Sequence, residues 1–89
     1  MASVKIDLTG KFGDKSLSSK SNIQFEGPLT ILDVIHKVNA EFGIEITPRC
    51  LQARDIICVY NDNAIEPEFL NQKVFDGDSI TFFQPLAGA

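Results

Sequence analysis

The feature that most constrains the fold is a single amphipathic helix between segments with the pattern of β-strands. Thr30 is a good helix N-cap, and Asp33 lies three residues later, as in a capping box. Gly43 is a typical C-terminal stop. The helix is therefore predicted from about Ile31 to about Phe42, and its apolar face must pack on a sheet. That face is formed by Ile31, Val34, Ile35, Val38 and Phe42.

Most of the remaining chain has strand patterns separated by turn residues. Segment 1–9 alternates apolar and polar side chains, which is typical of a half-buried strand. Segment 10–21 is polar, and we expect a loop longer than a minimal hairpin turn. Residues that tolerate left-handed backbone predict turns at 61–63 and 76–78. Further strands are predicted at 22–26, 55–60, 64–66 and 79–84, with an irregular connection at 48–53 and one helical turn within 68–74.

The predicted order is strand, strand, helix, strand, short strand, strand. It indicates an α+β fold of the β-grasp type, a mixed sheet of four to five strands covered on one face by one main helix. In this arrangement the first and last strands pair in the middle of the sheet. At 89 residues the chain suits one domain. We therefore expect a single domain over 1–89 with a flexible C-terminal tail at 85–89.

Composition excludes several classes of function. A formal net charge of -4 disfavours binding to a phosphate backbone, so no nucleic-acid partner is expected. No apolar run is long enough to span a membrane or resembles a signal peptide. Cys50 and Cys58 fit neither a redox pair nor a zinc site, and both are predicted to be reduced thiols of a cytoplasmic protein.

A catalytic site of the chain's own is not expected. His36 lies off the apolar helix face and has no second ligand at metal spacing. Asp76 and Asp78 are explained by a turn, and so is Asp62, so no metal site is predicted. There is no Ser/His/Asp set, glycine-rich phosphate loop or pair of carboxylates on one helix face. The sequence therefore shows no visible catalytic site of its own.

The end of the sequence, VFDGDSITFFQPLAGA, combines a turn, an apolar strand and a stretch of small residues. Pro85 is predicted to stop the strand. A tail with few side chains can enter a narrow site, where its terminal carboxylate can react. Phe82 and Phe83 must point to opposite faces of the sheet. The alternation predicts that Ile80 and Phe82 are in the core and that Phe83 is presented as a docking residue, although a curled sheet would bury both.

Two motifs resemble the ubiquitin-like sulfur carriers of the MoaD/ThiS group. Segment 58–65, CVYNDNAI, is similar to the family hairpin V-x-V-N-g-x-x-V. Segment 75–88, FDGDSITFFQPLAG, is similar to the family ending L-x-D-G-D-x-V-x-x-x-P-P-V-x-G-G. The sequence departs from that ending at Gln84, where the family has its first proline, and at Ala89, where it has a glycine. The order of elements matches over nearly the whole chain.

The resemblance implies that the chain is a carrier activated by another enzyme. An E1-like adenylyltransferase would use ATP to adenylate the C-terminal carboxylate, and a sulfur donor would convert it to a thiocarboxylate. The sulfur would then pass to a synthase subunit. The reacting residues would be Gly88 and Ala89, and no cofactor would be stably bound. Partner contacts are expected from Phe83, Pro85, Leu86 and Ala87.

The pathway and the alternatives follow from less specific features. The loop expected after the first strand and the overall length favour the small subunit of molybdopterin synthase over the compact thiamin carriers. A tungsten-cofactor role would have the same sequence pattern. Ala89 favours a second hypothesis, a β-grasp interaction subunit that docks on an enzyme and is never activated. A ubiquitin-type modifier conjugated to lysines is a third hypothesis.

Overall fold

The computed structural model describes residues 2–85, and the predicted tail residues 86–89 lie outside the described part. A five-stranded mixed sheet carries one main helix on one face, as the β-grasp prediction requires. The strand order is β2-β1-β5-β3-β4. The elements are β1 Ala2–Phe12, β2 Lys15–Phe25, α1 Ile31–Phe42, α2 Pro48–Gln52, β3 Ile57–Tyr60, β4 Asn63–Ala64, a 3₁₀ turn at Pro67–Phe69, and β5 Ser79–Phe83.

The first and last strands lie side by side in the sheet, as predicted. β1 and β5 run parallel, from Lys5 opposite Ser79 to Thr9 opposite Phe83. β5 pairs on its other side with β3 in the antiparallel direction. The strand that leads to the C-terminus is therefore hydrogen-bonded to a neighbour along both edges, and its path is set by the core of the protein.

Helix α1 has the predicted bounds and both predicted caps. The Thr30 hydroxyl accepts from the Asp33 N–H, and the Asp33 carboxylate accepts from the Thr30 N–H, which completes the capping box. These hydrogen bonds, the one from the Thr30 backbone first, hold the pKa of Asp33 below its usual value. Gly43 ends the helix in left-handed conformation, with φ 65°. Ile31, Val34, Ile35 and Val38 are buried against the sheet in one core, whereas Phe42 is half-buried.

The loop predicted for 10–21 was wrong, because this segment forms the end of a long hairpin. β1 and β2 pair without a break up to Phe12 opposite Lys15, which leaves a two-residue turn at Gly13 and Asp14. Gly13 supplies the positive φ of 64° that such a turn favours at its first position. The alternation was hidden because two core-side positions of this edge strand, Ser19 opposite Leu8 and Ser21 opposite Ile6, are polar like the outward positions. Because this segment is a hairpin, a long loop after the first strand no longer supports the molybdopterin branch.

Four predicted elements also needed correction in their type or bounds. The connection at 48–53 contains the short helix α2, which Thr47 caps and Pro48 begins. β3 begins at Ile57 rather than 55, and β4 is restricted to Asn63–Ala64. The helical turn expected within 68–74 is a 3₁₀ turn one residue earlier. β3 is an internal strand but is buried on one face only, since Cys58 and Tyr60 are buried while Ile57 and Val59 are half-buried.

Candidate functional site

The chain leaves the sheet at the C-terminal end of β5, called here the exit end. Phe83 is the last residue of β5 and lies between Thr9 of β1 and Ile57 of β3. Pro85, the last described residue, is half-buried. Leu86, Ala87, Gly88 and Ala89, which the sequence placed in the reactive tail, lie outside the described residues. The described part of the site therefore consists of the end of the sheet and the first residue of the predicted tail, Pro85.

Phe82 and Phe83 lie on opposite faces of the sheet. Phe82 is fully buried beneath α1, and Ile80 is also in the core. Phe83 is half-buried on the face that carries no helix. The prediction that Phe82 is the core residue is confirmed, while Phe83 is less exposed than its role as a presented residue suggested.

The helix-free face is divided into an apolar and a polar half. Ile57, Val59 and Phe83 are half-buried and share this face through the pairings of β3 with β5; together they are called the apolar strip. On the other side, Lys5, Asp7 and Lys20 line an open groove of about 370 Å³ with Ser79 and Thr81. Ile57 and Phe83 place one end of the apolar strip at the exit end, and Val59 extends it along the sheet opposite Thr81.

Gln84 fastens the chain at the exit end. Its backbone N–H donates to the Thr9 carbonyl oxygen at 3.1 Å, and its Oε1 accepts from the Lys11 N–H at 2.9 Å. Gly10 packs against it closely enough that a Cβ at Gly10 would lie 2.8 Å from the Cβ of Gln84. In the sequence, Gln84 was noticeable only as a departure from the family ending. Its contacts were not predicted because segment 10–21, which contains Lys11, was predicted to be a loop.

The opposite end of β5, the entry end, is held by a network around Asp78. Its carboxylate accepts from the Tyr60 hydroxyl, from the Phe75 N–H at 2.7 Å and from Asn61 Nδ2 at 3.1 Å. Burial raises the pKa of Asp78, but these hydrogen bonds outweigh burial and the net pKa is lowered. Burial, reinforced by the hydrogen bond to Asp78, raises the pKa of Tyr60 to about 12.

The residues considered as metal ligands are used by turns. Asp76 accepts from the Ser3 N–H at 2.9 Å, next to the Asp78 network. Asn61 and Asp62 both have positive φ, as the turn prediction required. Within 2–85, no group of three His, Cys, Asp or Glu side chains is placed to hold a metal ion.

The other potentially reactive side chains are one histidine and two cysteines. His36 is exposed on α1, as predicted. Cys50 and Cys58 are free thiols, and burial raises the pKa of Cys58 to about 12, so its reactive thiolate is strongly disfavoured at neutral pH.

Two exposed aromatic residues were missed by the sequence analysis. Phe69 is 50% exposed and Phe75 is 63% exposed. Phe75 lies at the entry end beside an apolar groove of about 340 Å³ that also contains Pro28. Both residues occur in irregular segments, where no alternation indicates which side chains point outward.

Residues 11–88 match the ThiS family model, which covers most of the chain, including the exit end and the tail up to Gly88. The chain belongs to the ThiS family. Members of this family are small carrier proteins, so membership implies a sulfur carrier role. Proteins of the family generally work with E1-like enzymes and synthases. No curated protein matches the chain. None of the helices in the described residues is long and apolar enough to cross a membrane.

Proposed function

We propose that this ThiS-family protein carries sulfur as a thiocarboxylate on its C-terminus. In the first step, a carboxylate oxygen of Ala89 attacks the α-phosphorus of ATP on an E1-like enzyme, and pyrophosphate leaves. In the second step, hydrosulfide released by a sulfur donor attacks the acyl-adenylate carbonyl, AMP leaves, and loss of the S–H proton gives the thiocarboxylate. The partner enzyme supplies the nucleotide site, so this chain needs no bound cofactor. Adenylation is required because a free carboxylate is a poor electrophile.

The observation that carries this proposal is the position of the exit end on a central strand. A tail that leaves a strand bonded on both sides has a fixed starting point, while residues beyond it are small. Residues 85–89 would reach roughly 15 Å at about 3.3 Å per residue. That length lets the carboxylate enter a narrow, water-excluding site while the folded body docks outside. Glycine at position 88 would permit close backbone approach.

The body of the carrier would dock through the apolar strip. Ile57, Val59 and Phe83 offer a partly buried apolar surface next to the tail, and aromatic residues commonly contribute most to such interfaces. Pro85 and Leu86 would set the direction of the tail, and Ala87 would add little bulk. The E1-like enzyme and the synthase subunit would thus recognise overlapping surfaces in turn.

We propose molybdopterin synthesis, for a molybdenum or tungsten cofactor, as the destination of the sulfur. The support is the overall length of the chain, because the first loop is a hairpin and no longer favours this branch. Transfer to a molybdopterin synthase large subunit, compared with transfer to a thiazole synthase of the thiamin pathway, is the direct test. Faster loss of thiocarboxylate to the thiazole synthase would overturn this assignment.

Ala89 supports one alternative, an interaction subunit that docks without being activated. An alanine methyl beside the reacting carbonyl occupies space that glycine leaves free, and it penalises left-handed backbone by roughly 1–2 kcal/mol. A partner with a wider channel would accept alanine, and a peptidase that removes Ala89 would leave Gly88 terminal.

Intact-mass spectrometry after co-expression with an E1-like enzyme and a sulfur donor tests the proposal. We expect replacement of one carboxylate oxygen by sulfur, on the full-length chain or on a form that ends at Gly88. Ala89→Gly should keep or increase this product. Failure of both the wild type and Ala89→Gly to form it would support the non-activated subunit. Adducts with lysines of other proteins that require Gly88 would instead indicate a modifier.

A further inference from the structure

Gln84 replaces a backbone hydrogen bond with a side-chain hydrogen bond at the point where the chain leaves the sheet. The Gln84 N–H continues the parallel pairing by donating to the Thr9 oxygen at 3.1 Å. In a regular parallel ladder, the Lys11 N–H would next donate to the backbone carbonyl of residue 84. Here it donates to the side-chain Oε1 at 2.9 Å. The Lys11 donor is satisfied, and the backbone is released from the sheet immediately before Pro85.

Gly10 provides the space that this arrangement needs. Its φ of 122° is unfavourable for residues with a side chain, and a Cβ there would lie 2.8 Å from the Gln84 Cβ and 3.1 Å from its nitrogen. β1 also continues to Phe12, beyond the last pairing with β5 at Thr9. The hairpin thus extends past the end of β5 and offers its free edge to Gln84.

We infer that Thr9, Gly10, Lys11 and Gln84 form a tail lock, in which Gln84 is a positioning residue for activation of the C-terminus. This inference rests on the proposed function. The tail lock fixes both the place and the direction in which residue 85 leaves the body. Less conformational entropy is then lost when the tail enters a partner, so the carrier is recognised at lower concentration. A proline at position 84 would lack the N–H that donates to Thr9.

The test compares Gln84→Met with Gln84→Glu in the full chain. Methionine keeps the unbranched length but has only a weak acceptor, whereas glutamate keeps an oxygen for the Lys11 N–H. We expect amide hydrogen exchange at Lys11 to accelerate in Gln84→Met and to remain slow in Gln84→Glu. Gln24→Met makes the same chemical change at an exposed position of β2 and serves as the matched control.

The kinetic readout is pyrophosphate exchange by the E1-like enzyme at varied carrier concentration. Gln84→Met should raise the KM for the carrier by about two- to tenfold, the range that one hydrogen bond supports, with kcat unchanged. Gln84→Glu should restore the wild-type KM. Gly10→Ala should raise KM in the same way, and circular dichroism establishes that each variant is folded. A fall in kcat without a change in KM would contradict a positioning role.

Two failures are distinguishable. Activation of the wild type, with the same KM for Gln84→Met, would overturn the positioning role alone. Absence of activation in the wild type would overturn the proposed function and the positioning role with it. Amide hydrogen exchange at Lys11 does not require activation by a partner enzyme. An unchanged exchange rate at Lys11 in Gln84→Met would overturn the tail lock itself.

Discussion

The two ends of β5 are held in different ways. At the entry end, the Asp78 carboxylate accepts from a side chain of β3, from the turn after β3 and from the preceding backbone. At the exit end, the described contacts of Gln84 are two hydrogen bonds to one neighbouring strand. The fold therefore holds the start of the last strand through more contacts than its end.

The largest expected effect is on stability at the entry end. Asp78→Ala removes the acceptor of Tyr60, Asn61 and the Phe75 N–H, and the part-buried Tyr60 hydroxyl keeps only its longer hydrogen bond to the Lys73 carbonyl oxygen at 3.4 Å. We expect the free energy of unfolding to fall by about 2–4 kcal/mol, against about 1 kcal/mol for Gln84→Met at the exit end. Urea denaturation measures both. Equal losses of unfolding free energy in Asp78→Ala and Gln84→Met would contradict the stronger hold at the entry end.

A second prediction concerns binding rather than stability. Phe83→Ala at the exit end should weaken binding of the E1-like enzyme by about tenfold or more, as removal of an aromatic hot spot commonly does. Phe75 is also an aromatic residue, 63% exposed, but it lies at the entry end, at the opposite end of β5. Phe75→Ala should therefore leave this affinity unchanged. Isothermal titration calorimetry measures both variants. A greater loss of affinity in Phe75→Ala than in Phe83→Ala would place the docking surface at the entry end of β5 and contradict this prediction.

A third, smaller effect is the acid dependence of stability. The folded-state pKa of Asp78 lies below its usual value of 3.8, so the folded state binds the proton less readily than the unfolded chain. The stabilisation is present above the unfolded pKa and is lost as pH falls through the folded pKa. Asp78→Asn should therefore lose less stability than the wild type between pH near 7 and pH near 3, as urea midpoints measure. A parallel pH dependence in both proteins would show that Asp78 does not contribute.

The smallest predicted effect is at the hairpin beyond the exit end. Lys15 Nζ donates to the Phe42 carbonyl oxygen at 3.0 Å, and α1 has no basic residue in its own last turn. Lys15→Met should cost about 0.3–1 kcal/mol at low salt, since a cation is favoured at a helix C-terminus. Thermal unfolding at low and high salt measures the loss. A loss that does not shrink at high salt would indicate packing rather than charge.

The helix and its caps were predictable from the sequence because their signals are local. Thr30, Asp33 and Gly43 act within one or two turns of α1, and each was found in the predicted role. The turn at 61–62 and the buried position of Phe82 were predictable for the same reason, since left-handed backbone and alternation are local properties.

The hairpin end and the role of Gln84 were not predictable in this way. Segment 10–21 has the polar composition of a loop, and only its pairing across the β1–β2 ladder keeps it extended. Gln84 is 73 residues from Lys11 in the sequence, so no local pattern indicates their hydrogen bond. The exposed position of Phe75 likewise depends on how an irregular segment crosses the end of the sheet.

By itself, the sequence determined the main helix with its caps, the β-grasp order and the small-residue ending that led to the ThiS family. The tertiary structure decided how far the hairpin extends, that Phe75 is exposed and where the last strand releases the chain. The physical reason is range. Capping, alternation and turn chemistry act between close neighbours in the chain. The direction in which residue 85 leaves the sheet depends instead on hydrogen bonds that join Thr9 and Lys11 to Gln84, more than seventy residues away.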